Sequence, residues 1–171
     1  MAIRKIVEIG DEKLRKVCRP VEKFDKRLQT LLDDMADTMY KANGVGLAGP
    51  QVGILRRVAV IDVGDGLFKM VNPVIVEREG EQSGPEGCLS VPGRSGIVTR
   101  PNIVTVKYQD ENGEPVTLRV DEFFARAVCH ELDHLDGVLY IDKMDREIFD
   151  DEEYEDEDEY EEYEEDEEDG E

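Results

Sequence analysis

The chain has 171 residues, enough for one domain with a real core and too few for two of ordinary size. Its net charge of −22 is unevenly placed: residues 150–171 hold 18 acidic residues and no basic one, leaving 25 acidic against 21 basic residues over 1–149. That body lacks the basic surface nucleic-acid binding needs, no apolar run approaches a membrane span, and residues 1–8 lack the apolar core of a signal peptide.

Three cysteines, an odd number, do not make a disulfide framework, and the expected setting is soluble and cytoplasmic, with no membrane and no direct nucleic-acid binding. Along the chain, Asp11 reads as an N-cap opening a short helix that stops before Pro20. Leu28, Leu31, Leu32, Met35 and Met39 then form an amphipathic stripe, and Asn43-Gly44 ends that helix. Residues 57–63 and 68–77 are rich in valine and isoleucine and bounded by glycines, as strands are. Segments 103–109 and 115–120 flank a hairpin turn set by Asn112-Gly113. A second long helix is expected from about Asp121 to Asp136, stopped by Gly137, with a further short strand over 138–141. There is no internal repeat. Helices at both ends around several short strands argue for an α+β fold with a mainly antiparallel sheet.

His130-Glu131-Leu132-Asp133-His134 fits His-Glu-x-x-His and falls within the second long helix. Residues four apart share a helix face, so both imidazoles can reach one metal ion while Glu131 lies beside them. The bland alternative is a surface helix with two solvated histidines. The chain has only two histidines, so a third histidine ligand is impossible and the remaining ligand must be Cys, Asp or Glu. Of the cysteines, Cys129 adjoins His130 at an angle about 100° round the helix that strains joint ligation. Cys18 reads as a packed thiol. Cys88 lies in Gly84-Pro85-Glu86-Gly87-Cys88-Leu89-Ser90, read as a loop whose glycines admit close approach of a ligand. A thiolate and two imidazoles leave one open position on a tetrahedral ion, although a buried inert cysteine is the plainer reading of Cys88 alone.

Three segments together resemble the peptide deformylases: Gly44-Val45-Gly46-Leu47-Ala48-Gly49-Pro50-Gln51, Glu86-Gly87-Cys88-Leu89-Ser90, and the 130–134 motif continued by Leu135-Asp136-Gly137. The resemblance covers about residues 1–148 and implies a catalytic domain over 1–149, with short antiparallel sheets packed around a central His-Glu-x-x-His helix and an N-terminal helical segment. It implies an enzyme that removes the formyl group from N-formylmethionyl peptides and releases formate. Cys88, His130 and His134 would bind one divalent ion, most commonly Fe(II), with Ni(II), Co(II) or Zn(II) substituting. Glu131 would be the general base toward a metal-bound water. Gln51 and the backbone N–H of Leu89 would stabilise the oxyanion, and Val45, Gly46 and Gly87 would present backbone groups to the peptide.

Two departures stand out. Gly49 replaces the family's usual alanine and is expected to loosen the loop carrying Gln51, and Cys129 stands where many members have glutamine. The acidic segment 150–171 is expected to be disordered, a solubilising tail or a transient contact with basic ribosomal proteins.

Overall fold

The computed structural model describes residues 2–149, and the acidic segment 150–171 lies outside the described residues. The chain opens in an extended run that leads into a single 3-10 turn, Glu12–Arg15, where the Asp11 side chain accepts from the Lys13 N–H. The helix expected here is this short because Leu14 is its one buried residue. Beyond it the chain is anchored by Cys18 N–H donating to Leu135 O and Arg19 N–H to Leu55 O.

Helix α1 spans Lys26–Lys41 and is capped by Asp25, whose carboxylate accepts from Leu28 N–H. Leu28, Leu32, Met35 and Met39 form the buried stripe that the spacing predicts, with Leu31 packed at its margin. Gly44 N–H closes on Met39 O, and Asn43 rather than Gly44 takes the left-handed backbone at the helix end.

Strand β1, Gly46–Ala48, is followed by a 3-10 turn at Gly49–Val52 and then by β2, Val58–Ile61, and β3, Phe68–Glu79. Strands β4 (Gln82–Cys88) and β5 (Val91–Arg100) come next, then β6 (Ile103–Gln109) and β7 (Pro115–Asp121). Helix α2 covers Glu122–Leu135, the short helix α3 Tyr140–Lys143, and β8 Arg146–Ile148. Every named strand pairs antiparallel: one sheet has the order β1-β2-β3-β6-β7, the other β4-β5-β8. This is the expected α+β architecture.

The β6–β7 hairpin forms where predicted, although Asp110 organises it, its carboxylate accepting from both Asn112 N–H and Glu114 N–H while Gly113 takes φ 83°. Two local expectations are corrected. Residues 138–141 do not form a strand, because Asp142 accepts from Leu139 N–H and starts α3 instead, with Leu139 and Tyr140 buried against Leu14, Val91 and Val98. Residues 84–88 are not a loop but most of β4, laddered on β5 from Gln82↔Arg100 to Glu86↔Gly96.

Helix α2 is the spine, touching β1, β2, β6 and β7 of one sheet and β5 of the other. Its apolar side, with Ala125, Val128, Cys129 and Leu132, packs on Ile61, Met70, Val104 and Val106. It ends in the expected glycine: Gly137 has φ 74°, and a Cβ there would sit 2.5 Å from Arg15 O. Among the described residues, no helix is long and apolar enough to cross a membrane.

Candidate metal centre

One helical turn separates His130 from His134, so α2 delivers both imidazoles to the same place, with ring centroids 5.1 Å apart. Cys88 comes from the end of β4, where the ladder with β5 breaks register between Glu86↔Gly96 and Cys88↔Val91. Its sulfur lies 3.4 Å from His134 Nε2, and one ligand atom from each of Cys88, His130 and His134 falls within 4.8 Å of the others. A sulfur and two imidazole nitrogens this close are a donor set for a divalent ion.

The ring nitrogens are sorted by their other partners. His130 Nδ1 is 2.9 Å from Glu86 Oε1, which leaves Nε2 for the cluster. His134 turns Nε2 toward Cys88, and burial pushes its pKa well below the ordinary value, keeping it a neutral donor. Burial opposes a proton on His130, but the Cys88 sulfur and Glu86 outweigh it and hold the pKa up to about 10. A metal ion bound there would compete with a proton for the one His130 lone pair.

The cluster borders a cavity of about 370 Å³, lined among others by Val45, Gly46, Gly87, Leu89, His130 and Glu131. Glu131 is 4% exposed, and burial raises its carboxyl to about 7. It lies so close to β1 that a Cβ on Gly46 would stand 2.5 Å from Glu131 Oε1. A carboxylate poised near neutrality beside a metal-donor set can take and return a proton.

Gln51, on the 3-10 turn after β1, is 1% exposed. Ala48 N–H donates to its Oε1 at 3.0 Å, which turns the amide nitrogen toward Ser90 Oγ at 3.1 Å and Cys88 Sγ at 3.4 Å. Leu89 folds over Gly44, where a Cβ would meet its Cδ1 at 2.8 Å, joining the first motif to the second. Val45 lines the cavity, but its carbonyl already accepts from Asp62 N–H.

The predicted site residues thus converge on one place, His134 lying behind the cavity lining and the others on it. Cys129 packs in the core among Ile61 and Val106, and Cys18 against Ala48 and Leu135, apart from the donor set. Gly49 is not in a slack loop: it is buried, and a Cβ there would be 2.7 Å from both Ile54 O and Arg56 O.

Sequence reasoning missed a buried charge network behind His130. Arg100 grips both oxygens of Glu86, at 3.0 and 2.9 Å, and reaches Asp133 at 2.6 Å. Arg126 adds a bond to Glu86 at 2.5 Å. Burial alone would raise the Glu86 carboxyl, but His130 and Arg100 hold it down at about 2. One signal was available: Arg126, His130 and His134 stand at i, i+4 and i+8 of one helix face.

Residues 3–148 match the family described as polypeptide deformylase. A peptide deformylase from Acetivibrio thermocellus is 59% identical over 152 residues, covering 89% of each chain. One from Agathobacter rectalis is 54% identical over 150 residues, covering 88% of this chain and 95% of the relative. Among solved structures, a peptide deformylase from Legionella pneumophila superposes with a TM-score of 0.81 at 48% identity, over 84% of this chain and 86% of that one. The Thermotoga maritima enzyme gives 0.83 at 43% identity, over 84% and 99%.

Proposed function

We propose that this chain, which belongs to the polypeptide deformylase family, removes the formyl group of N-formylmethionyl peptides with one divalent ion held by Cys88, His130 and His134. The observation that carries this reading is the convergence of those three donors beside a cavity holding Glu131 and Gln51. When bound, the ion supplies Lewis acidity to the formyl oxygen and lowers the pKa of a water. Fe(II) is the proposed ion, with Ni(II), Co(II) and Zn(II) as substitutes, since a sulfur and two imidazoles suit all four.

The chain's own groups divide the remaining work. The peptide lies as an added strand between the free edges of β1 and β4, held by backbone groups of Val45, Gly46 and Gly87. Glu131 takes the proton of the attacking water as its oxygen bonds to the formyl carbon. Gln51 Nε2 and the Leu89 N–H donate to the oxygen where negative charge develops. Glu131 then hands the proton to the departing amine as the C–N bond breaks, leaving formate and a free N-terminus. Burial raises the Glu131 carboxyl above its ordinary value, which suits a group that both takes and gives a proton.

A cytoplasmic setting and a transient ribosome contact fit an enzyme of nascent chains; the acidic residues 150–171 read first as a solubilising tail, and the sharper alternative is that they contact basic ribosomal proteins. Deleting 150–171 should then reduce co-sedimentation with ribosomes at low salt, and unchanged co-sedimentation would remove this role.

The reaction is tested by formate release from a short formyl-methionyl peptide, using protein purified without oxygen and loaded with Fe(II) or Ni(II). Release that is abolished by chelation, with no cleavage of the unformylated peptide, is expected. Folded, metal-loaded protein that releases no formate would sink the assignment.

A further inference from the structure

Arg126 has no part in the chemistry just described, yet it is 5% exposed and lines the catalytic cavity. From α2 it reaches into the other sheet. Nη1 donates to Glu86 Oε2 at 2.5 Å, Val98 O at 3.0 Å and Gly84 O at 3.3 Å, and Nη2 to Gln82 Oε1 at 3.4 Å. Three of these four partners belong to β4. Gly84 leaves space for the guanidinium: a Cβ there would stand 3.3 Å from Nη2 and 3.5 Å from Cζ.

The cleft runs between β1, an edge of the five-stranded sheet, and β4, an edge of the three-stranded one. Among the described residues, no ladder joins these two edges. Their separation is set in part by what α2 places between them: Glu131 against Gly46 on one side, Arg126 against Gly84 and Glu86 on the other.

We infer that Arg126 is a positioning residue for the substrate, tying β4 to α2 and so setting the width of the cleft that receives the residue carrying the formyl group. This inference rests on the deformylase reading. Arg100 has a different role, because it holds both oxygens of the carboxylate that orients His130. Without Arg126, Glu86 keeps Arg100 and His130, so the donor set is preserved while β4 loses the bonds that α2 makes to Gln82 and Gly84.

The test is a split between KM and kcat for a formyl-methionyl tripeptide, with metal content read on the same holoenzyme preparations. Arg126→Met should raise KM about tenfold, the scale of one or two net hydrogen bonds, with kcat within about twofold and metal content unchanged. Arg126→Lys, shorter and without a second nitrogen for Gln82, should also raise KM. Gly84→Ala disturbs the same contact from the strand side and should move KM in the same direction by about threefold. Should Arg126→Met fail to fold, Gly84→Ala and Arg126→Lys decide. Unmoved KM in a series whose wild type turns over the peptide would overturn the inference and leave the deformylase reading intact. So would a parallel fall of kcat and metal content, which would place Arg126 with the metal ligands. A wild type that fails to turn over the peptide would overturn both.

Discussion

Gly46→Ala is the sharpest test of how the proposed base is held. The added Cβ would stand 2.5 Å from Glu131 Oε1, 2.8 Å from Cδ and 2.9 Å from Cγ. Comfortable contact needs about 3.5 Å, so the carboxylate or the strand must give by about 1 Å. Neither moves freely. Glu131 is buried on α2, and β1 is laddered on β2 through Gly46↔Ile61 and Leu47↔Val60. A misplacement of that size in a reacting group costs about 10²-fold in rate, and overpacking of this kind destabilises by about 1–3 kcal/mol. Cys88, His130 and His134 do not touch Gly46 in this way, so metal content should stay at the wild-type level. We therefore expect kcat for formate release to fall about 100-fold in a folded, metal-loaded variant. On a Glu131→Ala background the same glycine change should add no further loss, because the residue it displaces is gone. Full turnover by folded Gly46→Ala would refute the reasoning.

Thiol labelling separates the three cysteines: burial raises Cys18 to about 11 and also raises Cys129, so neither should react in the native state. Cys88, only partly buried, should be alkylated in chelated protein and protected once Fe(II) or Ni(II) is restored, and equal labelling in both states would remove it as a ligand. Arg57 closes the C-terminal end of α2 by donating to Leu135 O at 3.1 Å and to Asp136 at 3.0 Å. Arg57→Ala should lower stability by about 1–2 kcal/mol in urea titrations while sparing metal content, and an unchanged midpoint would show that the contact contributes nothing net. For Asp142, burial acts to raise the pKa, but Arg15 and the Leu139 N–H outweigh it and hold the carboxyl below its usual range. Its contribution is present above about pH 4 and lost as pH falls through the folded-state pKa, so Arg15→Ala should flatten the acid limb of stability against pH. An identical acid limb in that variant would remove the pair from the account.

The parts legible in the sequence were those where local pattern and tertiary role agree. Leu28 to Met39 repeat at helical spacing because one face of α1 is buried, and Gly113 and Gly137 mark turns that need positive φ. The two sheets were only half legible. Gly84-Pro85-Glu86-Gly87 has loop propensities, yet it is a strand because β5 supplies its ladder and Arg126 needs Gly84 bare. Residues 92–96, with two glycines and a proline, hid β5 for the same reason. The apolar run at 138–141 suits either state, and the Asp142 carboxylate on Leu139 N–H decided it for a helix. The donor set was legible because only two histidines exist, whereas Glu86, Arg100 and Arg126 become one network only where the fold buries them together.

That buried network also bears on what the fold retains. Glu86, Arg100 and Arg126 are nearly inaccessible, and three apolar side chains of similar volume would hold the same space at no desolvation cost. Stability therefore does not account for them. Geometry does: an apolar trio could not fix the His130 ring through Nδ1, nor hold the outer strand of a separate sheet at a set distance from α2. The network has the redundancy this needs, since Glu86 takes four bonds from three residues and stays paired when any one of them is lost. Orientation of the ligand and spacing of the cleft can then be disturbed separately, which is why Arg100 and Arg126 variants should fail in different kinetic parameters.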